Sequence, residues 1–252
     1  MISVIFRSMI TTSLRDKISL GYSLIFPFVL LIGLGLYFDE GAMPVNIVAG
    51  VTAISTTIWG MQGIAFQIHF QRNRGVYKLL NLTPFTTFSF VTIMTLARTF
   101  LGVMINMVIW LAGMLFFQLE LSLEMIFSPL LLTMLACLCF SSIGFFIANL
   151  ANNEGQINMY CNLIQLPMIL MSEAFYSLNS APDWVVVLGK ILPFEYYVKA
   201  LKGMLTSEYD SMIMAIISLG SYFIIMTLLA VKTFKWEQKS LVKKKGKPSL
   251  YS

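Results

Sequence analysis

Apolar residues run almost unbroken over six stretches, 18–38, 45–66, 99–117, 127–150, 157–178 and 212–231, with polar connections between them. Each is close to the about 20 residues that a helix needs to cross a hydrocarbon core of about 30 Å. The pattern predicts an all-α integral membrane protein: one transmembrane domain over 1–235 with six spans, then a basic tail over 236–252. Before the first span, Ile2, Ile5, Phe6, Met9, Ile10 and Leu14 recur at helical spacing, with Ser3, Arg7, Ser8, Thr11 and Arg15 opposite. That spacing predicts an amphipathic helix over 2–16 lying in the membrane interface, and Arg15, Asp16 and Lys17 mark a break before the first span. The first span is about twice the length of a signal-peptide core and no small-residue cleavage site follows it, so it is expected to stay attached.

Two connections are longer than the rest. Segment 71–96 carries Arg72, Arg74 and Lys78 and a Thr83-Pro84 break, whereas segment 172–211 holds short apolar patches around Trp184–Leu188 and Tyr196–Leu205. The second segment predicts two short helices that dip into the outer leaflet, started by Pro182 and Pro193.

Charge orients the spans. With the N-terminus inside, Arg7, Arg15, Lys17, Arg72, Arg74, Lys78, Arg98 and the lysines from Lys232 to Lys247 all fall on the cytoplasmic side. Only Lys190, Lys199 and Lys202 fall outside, together with every acidic residue except Asp16, Glu154 and Glu237. This positive-inside bias predicts a multi-pass protein of the plasma membrane with both termini cytoplasmic, of prokaryotic type. Arg98, costly at a bilayer centre, is expected to mark the cytoplasmic start of the third span, and His69 to be interfacial beside Gln71 and Arg72. The chain is 58% hydrophobic and 12% charged, with a mean hydropathy of +0.80, against about 25% charge in a soluble domain. Its net charge of +5 needs no nucleic-acid partner, because Lys243, Lys244, Lys245 and Lys247 would lie against an anionic leaflet.

No phosphate-binding loop is present, His69 is the only histidine, and the aspartates lie scattered outside the spans. Neither intramembrane catalysis nor a metal site is expected, and Cys137, Cys139 and Cys161 are expected to be small packing residues. Nor do the spans show an internal repeat, which disfavours an inverted-repeat transporter.

The run Arg72-Asn73-Arg74-Gly75-Val76-Tyr77-Lys78-Leu79-Leu80-Asn81-Leu82-Thr83-Pro84 resembles the loop between the second and third spans of type-2 ABC exporter permeases. Gly144 to Leu150, Gln165-Leu166-Pro167, Ala181-Pro182-Asp183-Trp184 and Leu192-Pro193-Phe194 follow in that family's order over nearly the whole chain. Two positions depart from it: Lys78 stands where Glu is frequent, and Glu173 follows Ser172 where Ser-Gly is usual. The resemblance implies a permease that pairs with a second protomer, as homodimer or heterodimer, and docks separate cytoplasmic ATPase subunits. ATP and Mg would be bound on those subunits, and no cofactor by this chain. The implied activity is export of an amphiphile such as a peptide, drug or lipid-linked molecule. The alternative is a stand-alone channel, ion-coupled transporter or scaffold.

On this reading Arg72, Arg74, Gly75, Tyr77, Lys78, Leu79 and Leu82 form the coupling loop; on the other, the basic residues only set topology. Asn158, Asn162 and Gln165 share one stripe of the fifth span, and Thr56, Trp59, Gln62 and Phe66 one face of the second. Such faces turn toward protein or water, so they either line a path at the dimer seam or join helices. Pro167 is expected to hinge the fifth span, and Glu173 either faces the exit of the path or, solvated, only helps set topology.

Overall fold

The computed structural model describes residues 10–11, 17–37, 43–77, 86–119, 122–176, 178, 181–206 and 208–234. Among them the regular structure is helical: α1 (Lys17–Tyr37), α2 (Met43–Ile58), a π-helical turn (Trp59–Gly63), α3 (Ile64–Asn73), α4 (Thr87–Phe116), α5 (Glu124–Leu150), α6 (Glu154–Leu170), α7 (Asp183–Ile191), α8 (Pro193–Thr206) and α9 (Met212–Thr233). Of the described residues, four segments are long and apolar enough to cross a membrane: Pro44–Asn73, Thr87–Phe116, Glu124–Leu150 and Met212–Thr233. The expected first and fifth crossings are helices α1 and α6, of 21 and 17 residues. At 1.5 Å per residue they are about 31 and 26 Å long. The expected interfacial helix over 2–16 lies outside the described residues apart from Ile10 and Thr11, which are helical, and so does the tail over 236–252.

The third helix departs from its expected start. It begins at Thr87, capped by the Thr86 hydroxyl, which accepts from Ser89 N at 3.2 Å. Within its polar first turns a hydroxyl is satisfied inside the helix, Thr92 Oγ1 donating to Phe88 O at 2.9 Å. Arg98 is therefore not at the start of that helix but well inside it and only 5% exposed, the cation stacked on the Trp59 ring 3.5 Å from its centroid. The fifth helix ends at Leu170 rather than at 178, and the chain bends from Met171 to Tyr176.

Helix α5 is the centre of the bundle, with α4, the π turn, α3 and α9 packed on it. The π turn lies against α5 at Gly144, where a Cβ would meet the Met61 carbonyl; only glycine lets the two backbones come so close. One end of the bundle gathers Tyr77, Phe90, Phe145 and Phe234, whose rings lie 5.0–6.2 Å apart. This is the basic-loop end. At the opposite end, the insert end, the side chains of Phe116 and Phe117 on α4 approach Gly35 of α1. There α7 starts behind Pro182, and Pro193 is the first residue of α8, a position where the missing N–H costs nothing.

Candidate functional site

At the basic-loop end, α3 is still helical at Arg72, and this turns the guanidinium into the bundle. Arg72 is 7% exposed; Nη1 donates to Ala148 O at 3.0 Å and Nη2 to Asn149 Oδ1 at 3.1 Å. Asn149 Nδ2 in turn donates to Ala230 O at 2.9 Å and to Thr233 Oγ1 at 3.2 Å. One arginine and one asparagine thus join the ends of α3, α5 and α9, with the guanidinium also over the Phe234 ring. Tyr77 is fully buried, and its hydroxyl donates to Gln71 Oε1 at 3.1 Å. Burial raises the Tyr77 pKa far above the usual range, against the opposing pull of Arg72, so the phenol stays neutral. Of the residues expected to form the coupling loop, Arg72 and Tyr77 point inward and Arg74 is exposed. Gly75 takes φ +73°, the left-handed conformation that ends a helix at low cost. Lys78, Leu79 and Leu82 lie outside the described residues.

The two polar faces of the second and fifth helices meet. Gln62 Nε2 donates to Asn162 Oδ1 at 3.1 Å, and Asn162 Nδ2 to Asn158 Oδ1 at 3.5 Å. Gln62, Asn162 and Phe66 are half-buried and Asn158 is exposed, so these four stay at the protomer surface. The others do not. Gln165 is buried, its Nε2 donating to Thr57 O at 3.3 Å. Thr56 is buried between Thr52 O at 2.7 Å and the Tyr197 hydroxyl at 3.2 Å. Trp59 is 1% exposed, and its ring sits where a Cβ on Gly102 would be, inside the protomer rather than on a seam.

The insert end carries a charged cluster around Glu173. Glu195 is 2% exposed; its Oε2 accepts from Glu173 N at 2.8 Å and its Oε1 lies 3.0 Å from Lys199 Nζ. Lys199 Nζ is also 3.6 Å from Glu173 Oε1, and Lys202 Nζ donates to the Glu173 carbonyl. Burial pulls Lys199 down, but the hydrogen bond and charge of Glu195, with Glu173, outweigh it and leave its pKa raised. For Lys202 burial wins over the two carboxylates and the pKa is lowered. Below this cluster the Tyr197 hydroxyl bridges Thr56 and Thr133, the latter at 3.0 Å. Helix α8 is thereby hydrogen-bonded to both α2 and α5.

The family model for the ABC-2 type transporter matches residues 2–206. The chain belongs to the ABC-2 type transporter family. No curated protein matches it. It is therefore a permease subunit of an ABC transporter, a membrane transport component whose long apolar helices place it in the membrane.

Sequence reasoning missed three residues that organise this permease: Arg98, Glu195 and Tyr197. A charge inside an apolar helix always needs a partner, so Arg98 was the available signal. Glu195 was visible as a carboxylate four residues before Lys199, the spacing of neighbours on a helix face.

Proposed function

We propose that the permease is the membrane half of an ATP-driven exporter of amphiphiles. In this reading six helices cross the membrane, the basic-loop end is cytoplasmic and the insert end faces outward. The observation that carries it is the family match over residues 2–206; the positive-inside charge pattern supports the orientation. Separate ATPase subunits bind ATP and Mg, and a second permease protomer completes the path. The stripe of Gln62, Asn162 and Asn158 is the seam at which that protomer joins, because amides at the surface are costly against lipid even where they bond to one another. Arg74 and the left-handed Gly75 turn supply the docking surface among the described residues, and Lys78, Leu79 and Leu82, next in sequence, share that role. The aromatic cluster of Tyr77, Phe90, Phe145 and Phe234 then passes a displacement of that surface to α4, α5 and α9 as a packed unit.

The test is co-purification of the permease with an ABC ATPase from the same cells, and ATP turnover of the complex. Arg74→Glu is expected to lower both while leaving membrane insertion intact. Association and turnover unchanged by Arg74→Glu together with Lys78→Glu would contradict the docking surface. A permease that isolates alone and conducts solute without ATP would favour the stand-alone channel.

A further inference from the structure

Two clefts open side by side at the insert end, and Tyr176 belongs to both walls. The first, of about 480 Å³, is charged: Glu173, Lys199, Lys202, Glu208 and Asp210 line it together with Asn46. The second, of about 410 Å³, is apolar and lined by Leu170, Met171, Pro182, Trp184 and Val185. Each falls within the about 300–1,000 Å³ of small-molecule sites.

Within the charged cleft, Lys199 and Lys202 are held by Glu195 and by the Glu173 side chain and carbonyl. Glu208 and Asp210 sit between α8 and α9, where Glu208 N donates to Gly203 O at 2.7 Å and Gly203 has no room for a Cβ. Both carboxylates are exposed, and among the described residues neither is ion-paired. A cleft lined by ammonium groups and by unpaired carboxylates matches a headgroup bearing both an anion and an amine. The apolar cleft continues beyond Tyr176, where a chain attached to that headgroup would lie, and the indole of Trp184 is its exposed edge.

We propose that the paired clefts form one binding site for a zwitterionic amphiphile of the aminophospholipid type. Its phosphate faces Lys199 and Lys202, its amine faces Glu208 and Asp210, and its chain lies against Trp184. The site is a property of the permease chain alone and stands or falls apart from ATP-driven export.

The experiment uses the full chain in detergent micelles, without the ATPase, and reads tryptophan quenching by lysophosphatidylethanolamine carrying a brominated chain. A brominated lysophosphatidylglycerol and a brominated alkyl maltoside with the same chain serve as comparisons. Quenching by the zwitterion is expected at a concentration about fivefold lower than by either, the scale of one or two exposed ion pairs. Read in a Trp236→Phe background, Trp184→Phe is expected to remove that quenching, which separates Trp184 from the buried Trp59 and Trp110. Glu208→Gln with Asp210→Asn, on an exposed turn, is expected to abolish the preference while leaving quenching by the maltoside unchanged. Lys202→Gln, which keeps a donor for the Glu173 carbonyl, is expected to weaken both phosphate-bearing probes. Displacement of the probe by unbrominated phosphatidylethanolamine alone assigns the site to a leaflet lipid. Displacement also by an acylated dipeptide with free amine and carboxylate extends it to cargo. Equal quenching by all three headgroups, or a preference that survives the Glu208/Asp210 variant, overturns the proposal.

Discussion

Trp59 and Arg98 hold each other across the bundle. The indole Nε1 donates to Arg98 O at 3.1 Å, Arg98 Nε reaches Trp59 O at 3.4 Å, and the guanidinium carbon stands 3.5 Å above the ring. Trp59 opens the π turn and Gly63 closes it, and a Cβ on Gly63 would run into the Arg98 guanidinium. A π turn widens a helix locally and re-aims the residues after it, a device common at functional sites. The lock between α4 and the π turn is thus built around one buried cation.

Replacing Trp59 by Leu removes the ring face and the indole donor together with part of the buried apolar volume. A cation–π contact away from water contributes about 2 kcal/mol, and stranding a buried charge costs about 3–5 kcal/mol. The variant is expected to lower the unfolding temperature of the solubilised permease, and Gly63→Ala to do the same by displacing the guanidinium. An unfolding temperature unchanged by Trp59→Leu would show that Arg98 is held by other groups.

The tie at the basic-loop end predicts non-additivity. Arg72→Ala and Asn149→Ala each break the link between α3, α5 and α9, at about 1.5–3 kcal/mol for a bond to a charged group. Because the two residues share one network, the double variant is expected to be less destabilised than the sum of the singles. Denaturation of all three variants measures this, and strict additivity would place the two residues in separate networks.

How much of this was legible in the sequence depends on where each partner lies. Stretch 212–231 became α9 almost to the residue because its apolar run has sharp polar ends. The start of α4 was hidden by Thr87, Ser89, Thr92 and Thr95, which look like a polar connection, although Thr86 caps the helix there and the Thr92 hydroxyl bonds back to Phe88 O. Arg72 looked like a surface cation because its acceptors, Ala148 O and Asn149, are distant in sequence and a backbone carbonyl leaves no mark in it. Of the two polar faces, the pairing of Gln62 with Asn162 could be anticipated, whereas the burial of Trp59 could not without knowing that Arg98 would stack on it.

Tyr197→Phe tests the link from α8 to the core. The change removes one hydroxyl and leaves Thr133 without its Tyr197 contact, while Thr56 keeps Thr52 O. A loss of about 1 kcal/mol is expected in stability. Thr133→Val added to Tyr197→Phe is expected to recover part of it, since removing both partners leaves no orphaned group; no recovery would contradict the bridge.

Alkaline pH should loosen the insert end. The pKa of Lys199 is raised in the fold, so its contribution is complete below the usual lysine value of about 10.4 and is lost as pH rises through the higher folded value. The unfolding temperature is expected to fall over that window, and less steeply in Glu195→Gln, which removes the main partner of Lys199. Identical alkaline slopes in the two proteins would assign the loss to other groups.

The proposed ATP-driven export is tested directly in proteoliposomes holding the permease with a candidate ABC ATPase. The quantity to measure is the ATP-dependent movement of a fluorescent amphiphile from the leaflet on the ATPase side to the opposite leaflet. The account predicts movement that requires ATP and both chains and that falls in Arg74→Glu. Movement that proceeds at the same rate without ATP, or with the permease alone, would contradict it.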